Sequence, residues 1–341
     1  MREFINMTML NSKPTGVGVY CQQLYDHIKN NSKFEFLFIN ESKFLTLKRL
    51  LWNLIILPLK VKRHLIYSPS THGSLFVKNQ IITIHDLIAI NFPQQYKFQY
   101  YYFKYYVPLL IRQSKYVVAI SEFTKKEIVD YYKINSNKVK VIHNGFTKAS
   151  VDQSSKDKEE LKDILQDCKY FVCIGASFSH KNITTLIESI ALFNDNNIKF
   201  VIVGKENDYF RSMKELALSF GLENIIFLNY ISDGLLHALY DGALANIYIS
   251  LYEGFGYPPL EAASHGTISI ISDIPVMNEI YGDSMIFVDP KNKVEIAEKL
   301  TLLSMNSPSK EEVHSKTDYL FSKYSWENTT KSILDLINLN N

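Results

Sequence analysis

Apolar residues in this chain gather in short unbroken runs, separated by longer stretches with helix-like amphipathic spacing. The runs of the first half are FINMTML (4–10), FEFLFI (34–39), LIYS (65–68), IITI (81–84), YVVAI (116–120) and VKVI (139–142). The second half repeats the rhythm with YFVCI (170–174), IKFVIV (198–203), IIFL (225–228), ANIYI (245–249), ISII (268–271) and MIF (285–287). A strand with one wet face alternates apolar and polar residues, whereas an unbroken β-branched run fits a strand covered on both faces. Such runs alternating with helical stretches predict an α/β chain of two doubly wound, parallel-sheet domains. Between the two series, ASVDQSSKDKEELKDILQDCK (149–169) is polar and charged, as a linker running into a helix would be. The expected domains are 1–150 and 151–324, and the helix SWENTTKSILDLI (325–337), with the tail to 341, is expected to pack back on the first. A length of 341 residues, more than one core usually serves, agrees with two domains. Ligands of such sheets bind at the C-terminal ends of strands, so the site is expected in a cleft between the domains.

Charge sharpens this division. The chain carries +2 overall, but 1–150 hold 21 Lys+Arg against 8 Asp+Glu, and the remainder is correspondingly acidic. A half with a balance of +13 is drawn to something anionic. Two stretches of that half are candidates for the contact. KRLLWNLIILPLKVKR (48–63) sets an apolar core between cationic ends, and QQYKFQYYYFKYY (94–106) interleaves lysines with aromatics. Both could be buried helices; the basic excess favours docking of 48–63 and 96–106 on an anionic membrane face. No nucleic-acid-binding motif accompanies them. The run LLWNLIILPL (50–59) is about half a membrane span, and the N-terminus has no signal-peptide layout. Cys21, Cys168 and Cys173 form no disulfide framework, which fits a cytoplasmic protein, peripheral at the inner face of the plasma membrane.

The chemistry gathers in EGFGYPPLEAASHG (253–266), just after the run ANIYI. Gly254 and Gly256 permit a sharp turn and a close backbone approach. Pro258 and Pro259 suit a helix's first turn, which places Glu261 in that turn and Glu253 on the loop before it. A helix start there is an expected anion site, suited to a diphosphate. Either glutamate alone would pass as a helix-dipole partner or a solvated residue; the pair in this frame points to function.

This stretch resembles the E-x7-E signature of retaining glycosyltransferases of family 4, which have the GT-B fold of two facing Rossmann-like domains. ITIHDLIAINFPQQY, VVAISEFTKKEIVDYY, VKVIHNGF, GASFSHKNITTLIES and ISDIPVMNEIYGDSMIFVDP match family segments in the same order. The resemblance implies that Glu261 holds the ribose hydroxyls of a nucleotide. Glu253 would face the donor sugar, with backbone N–H groups of Gly254, Phe255, Gly256 and Tyr257 beside its hydroxyls. Lys181, in SHKN, would neutralise the diphosphate, and His85, in TIHDL, would sit beside the transferred sugar, with Asp86 structural. PTGVGVY (14–20), with Gly16 and Gly18, would be a glycine-rich loop over the phosphates. As a G-x-G-x-x-G motif it fails, because Cys21 stands where the third glycine would be. Tyr230 and Ile231, in NYISDGLL, would lie beside the nucleobase. Two family arginines are replaced, by Ala176 and His180, which leaves Lys181 with Lys205 as a weak second candidate.

The implied reaction is metal-independent transfer of a hexose with retention of configuration, since no DxD motif is present, and no cofactor is called for. The donor would be a nucleoside-diphosphate sugar, with GDP-mannose or another GDP-hexose slightly ahead of a UDP-sugar. The acceptor would be a glycan or lipid-linked glycan of an O-antigen or capsule pathway. The rivals are a catalytically silent scaffold of the same fold, a nicotinamide-dependent oxidoreductase and, least of all, two-carboxylate glycosidase chemistry.

Overall fold

The computed structural model describes residues 3–10, 16–39, 45–148, 155–193 and 195–339. Their strands are β1 Glu3–Asn6, β2 Phe34–Leu37, β3 Ile66–Ser68, β4 Gln80–Ile84, β5 Tyr116–Ala119, β6 Val139–Val141, β7 Tyr170–Ile174, β8 Lys199–Val203, β9 Ile225–Leu228, β10 Asn246–Tyr248, β11 Ser269–Ser272 and β12 Ile286–Val288. Each overlaps one of the apolar runs. The largest departure is FINMTML, whose strand stops at Asn6. The Asn6 side chain accepts a hydrogen bond from the Thr8 amide at 3.3 Å, a local turn that competes with continued extension.

The chain divides into two compact units, Met1–Phe146 with Lys323–Asn341, and Thr147–Ser322. In the first unit the sheet runs β2-β1-β3-β4-β5-β6, every neighbour parallel. Strand order reverses between β1 and β3. In the second it runs β12-β11-β10-β7-β8-β9, also parallel, with the reversal between β7 and β10. Such a reversal leaves a crevice beyond the carboxyl ends of the two diverging strands, because their following loops turn to opposite faces.

Burial explains the unbroken runs. All five residues of β4 and all of β10 are buried. The edge strands β2 and β9 are more open, as strands with one unpaired side are. The last helix, Trp326–Asn338, belongs to the first unit. Its Trp326, Ile333 and Ile337 join Ile5, Tyr20, Leu24 and Val118 in one core. A Cβ at Gly145 would stand 2.5 Å from the Trp326 ring, so the helix seats where only glycine leaves room. Cys21 and Cys173 are buried, and burial pushes both thiols up to about 12. Among the described residues no helix is long and apolar enough to cross a membrane.

Candidate functional site

The reversal point of the second sheet carries the chain's densest set of sequence-predicted residues. From β7 the backbone turns through Gly175 into a short 3-10 turn, Ser179–Lys181. Asn182 then adopts a left-handed conformation (φ 62°) before the helix Ile183–Phe193. From β10 it passes through Glu253 to Gly256 (φ 88°) and the helix Pro258–Ser264. A Cβ at Gly256 would press on Met277 at 2.6 Å and Tyr248 at 3.2 Å, so this turn needs glycine for space as well as for φ. The Tyr281 hydroxyl donates to the Gly256 carbonyl and pins the turn from behind.

Lys181 and Glu253, from the two sides of the reversal, meet. The Lys181 Nζ lies 2.6 Å from Glu253 Oε1, with side chains 16% and 12% exposed. It also lies 3.0 Å from the Tyr248 hydroxyl and 4.7 Å from the centre of that ring. Burial pushes the Glu253 carboxyl up, but the Lys181 ammonium and its hydrogen bond, together with smaller polar effects around them, hold the group below the usual range. Glu261 goes the other way. Burial raises it, and a hydrogen bond from the Tyr240 hydroxyl at 2.9 Å, with the more distant Lys181 charge, offsets only part of that rise. One ammonium thus acts on two carboxylates in unlike settings, the condition under which such groups take different roles. His180 is buried and pushed down to about 4 by desolvation, so it is neutral.

Three side chains that sequence reasoning passed over complete the arrangement. Tyr248 and Tyr240, both fully buried, are the hydroxyl partners of the ion pair and of Glu261. Asn182 donates to the carbonyls of Ile249, at 3.2 Å, and Pro290, at 2.6 Å, tying the Lys181 turn to the ends of β10 and β12. A tyrosine closing a strand run, as Tyr248 does, was a usable signal. Nothing local connects Tyr240 with Glu261, 21 positions later.

Two features of the structure depart from the sequence-based expectations. The helix Pro258–Ser264 has only seven residues, so its macrodipole is weak. Pro258 and Pro259 bring no N–H, and the Glu261 amide already bonds to the Tyr257 carbonyl at 3.0 Å. That helix start has few donors left for an anion, and Lys181 remains the obvious cation. The second departure concerns the glycine-rich loop: Gly16 and Gly18 lie within the helix Gly16–Ile28, while Pro14 and Thr15 lie outside the described residues.

Around the pair, Gly254, Phe255 and Gly256 are buried and Tyr257 is half-buried. Tyr230 is 87% exposed, whereas Ile231 packs against the core beneath it. Ala176 is buried, and the Lys205 amide, rather than its ammonium, bonds to Ser177 Oγ at 2.7 Å. His85 stands in the first unit at the end of β4. Its Nε2 donates to the Pro69 carbonyl at 3.0 Å, and burial pushes it down to about 4, so the ring is neutral. Asp86 accepts from the Ile88 amide at 2.9 Å, a local Asx turn. Among the described residues no group of three His, Cys, Asp or Glu could hold a metal ion.

Comparison with known proteins adds a family. The model described as Glycosyltransferase Family 4 matches residues 43–148, and Glycosyl transferases group 1 matches residues 154–318. The chain is 32% identical over 226 residues to the O-antigen chain mannosyltransferase RfbU of Salmonella typhimurium, covering 66% of this chain and 61% of that protein. It is 24% identical over 291 residues to the O-antigen chain mannosyltransferase B of Escherichia coli, covering 82% and 75%. The chain therefore spans about three-fifths of the length of the first of these relatives. Among solved structures it is similar to Anabaena HepE in complex with UDP and glucose, with TM-score 0.77, 17% identity and 99% of each chain covered. A sucrose-phosphate synthase from Thermosynechococcus elongatus gives 0.78 at 14% identity, again over 99% of each chain. These structural likenesses establish the GT-B fold.

Proposed function

Because this chain belongs to the glycosyltransferases described by those two family models, we propose that it moves a hexose from a nucleoside-diphosphate sugar to a glycan or lipid-linked glycan acceptor in surface-polysaccharide assembly. In this reading the second unit binds the donor and the first unit takes the acceptor. The observation that carries it is the Lys181–Glu253 pair at the reversal point of the second sheet. Breaking the sugar–phosphate bond leaves negative charge on a nucleoside diphosphate, and a fixed ammonium in a partly dry site stabilises that charge as it develops. Lys181 is the cation so placed, and its present partner, Glu253, stays ionised beside it and faces the sugar. Glu261, held by Tyr240, takes the ribose hydroxyls; exposed Tyr230, with Ile231, offers the nucleobase a surface. Neutral His85 acts as a hydrogen-bonding group toward the sugar rather than as a charge. Transfer proceeds without a metal and with retention of configuration. The O-antigen relatives are named mannosyltransferases, which supports mannose as the hexose; the donor in this reading is GDP-mannose or another GDP-hexose, and the UDP complex of a structural neighbour makes a UDP-sugar the alternative.

A screen of GDP- and UDP-sugars by mass spectrometry, with Glu253→Ala as control, tests this. Donor hydrolysis or transfer by the native protein and its loss in the variant are expected. A thermal shift with NAD and none with any nucleoside diphosphate would overturn the reading.

We further propose that the first unit docks on an anionic membrane surface. Leu51, Ile55 and Leu59 are 49%, 54% and 67% exposed on the segment Leu45–Val61, while Leu57 and Val61 are buried beneath them. Phe98, Tyr101 and Tyr105 are 90%, 60% and 60% exposed on Lys97–Tyr106, beside Lys104. Burying an exposed leucine or isoleucine contributes about 1.5–3 kcal/mol at most. Replacing Leu51, Ile55 and Leu59 together with Gln should therefore weaken binding to phosphatidylglycerol vesicles at least about tenfold, with donor hydrolysis in detergent-free buffer retained. Equal vesicle binding by the native and triple-variant proteins would refute the docking surface.

A further inference from the structure

The reversal point of the first sheet holds a second polar cluster, in the unit that does not carry Lys181 and Glu253. Asn6, at the end of β1, donates to Ser68 Oγ at 3.3 Å and to the His72 carbonyl at 2.5 Å. This holds the loops after β1 and β3 together. Into this corner comes Arg49, from the helix Leu45–Leu51. It is 7% exposed, and its Nε donates to the Thr8 carbonyl at 3.0 Å. Its Nη2 is buried and has no hydrogen-bond partner among the described residues, and the same holds for the neighbouring Thr8 hydroxyl. No carboxylate among the described residues pairs with the guanidinium. The titratable groups that feel its charge are the Cys21 thiol and the His72 ring, both neutral there. His72 is itself fixed, its Nδ1 3.0 Å from Ser70 Oγ.

A buried cation without a counter-ion is costly, because desolvation removes hydration that nothing replaces. Burial at a random place in the core would be selected away or paired. This one sits at the carboxyl end of β1, where a doubly wound sheet receives ligands. It also carries two unused donors, a guanidinium N–H and a hydroxyl. Arginine suits one task above others in that setting, the bidentate holding of a phosphate or similar oxyanion.

We propose that Arg49, with the Thr8 hydroxyl, forms an anion subsite in the first unit that takes a phosphate group, supplied by a prenyl-diphosphate-linked acceptor or by the nucleotide. Anion binding by Arg49 and Thr8 does not depend on glycosyl transfer being the reaction. Both tryptophans, Trp52 and Trp326, lie in the first unit, so intrinsic tryptophan fluorescence reports on that unit.

The full chain is titrated with inorganic pyrophosphate, farnesyl diphosphate, GDP and UDP, alongside Arg49→Met and Lys181→Met. Met keeps the volume and removes an unpaired charge, which offsets the lost Nε bond to the Thr8 carbonyl, so Arg49→Met should fold about as stably as the native protein, which urea unfolding checks. Saturable fluorescence changes with pyrophosphate are expected, about tenfold or more weaker in Arg49→Met and unaltered in Lys181→Met. A matching loss with farnesyl diphosphate assigns the phosphate to the acceptor; a loss with GDP or UDP assigns it to the nucleotide. No response to any of the four, or equal affinity in the native protein and Arg49→Met, would overturn the subsite.

Discussion

Lys181→Met is expected to lower donor-dependent turnover by about two to three orders of magnitude while leaving the second unit folded. Three contacts end at this ammonium: Glu253 at 2.6 Å, the Tyr248 hydroxyl at 3.0 Å and the Tyr248 ring face. Removing one partner of a buried ion pair typically costs about 3–5 kcal/mol. Both side chains here keep some access to water, so a loss of about 2–3 kcal/mol is expected. The pH profile separates catalysis from mere stability. With Lys181 present, Glu253 is held below the ordinary carboxylate range. Its ionised form therefore stabilises the fold above the unfolded value of about 4.5, and that contribution fades as pH falls through the lower folded value. Without Lys181 burial acts with less opposition and the folded value rises. The acid limb of activity should accordingly move to higher pH in Lys181→Met, while its deficit persists on the plateau. The double variant Lys181→Met, Glu253→Gln should lose less than the sum of the two single changes, because each single change strands the other group. A Lys181→Met protein of native turnover would remove the pair from the mechanism.

Why the fold was legible and the site only half so follows from the kind of signal each leaves. Strands covered on both faces leave unbroken β-branched runs. Even FINMTML misled only because Asn6 bends the backbone with its own side chain. A glycine–proline frame likewise marks a loop and helix start without knowledge of the rest. The sequence does not say what faces what. Lys181 and Glu253 are 72 positions apart, and their pairing depends on β7 and β10 becoming neighbours, a matter of strand order. The same holds for Tyr240 and Glu261. In sequence Arg49 is one cation among several on a basic, apolar stretch, since burial of a single guanidinium leaves no periodic trace. The apolar residues of that stretch fit a core helix or an interfacial one equally in pattern, and the structure divides them, burying Leu57 and Val61 while exposing Leu51, Ile55 and Leu59.

The residue least visible in sequence should have the largest effect on stability. Nothing in the sequence marks Asn182, yet it is buried, left-handed and donates to two carbonyls from separate strand ends. Its Oδ1 accepts from Thr185 Oγ1 at 2.8 Å as well. Each such bond is worth about 0.5–1.5 kcal/mol net, and the orphaned buried carbonyls add to the loss. A β-carbon residue that lacks asparagine's local bonding also costs about 1–2 kcal/mol in the left-handed region. Asn182→Ala should therefore destabilise the second unit by about 3–4 kcal/mol. Asn182→Gly, free of the φ penalty, should recover about 1 kcal/mol of that. Asn182→Asp should be the worst, because it sets a carboxylate against the Ile249 and Pro290 carbonyl oxygens that the amide now serves. Both tryptophans lie in the first unit, so calorimetry rather than tryptophan fluorescence must follow the transition. Asn182→Gly should also show reduced turnover at temperatures where it is fully folded, because the turn that aims Lys181 has lost its anchor to β10 and β12. If Asn182→Asp unfolds with the native protein, those two carbonyl bonds do not hold the turn, and the placement of Lys181 must be sought in its pairing with Glu253 alone.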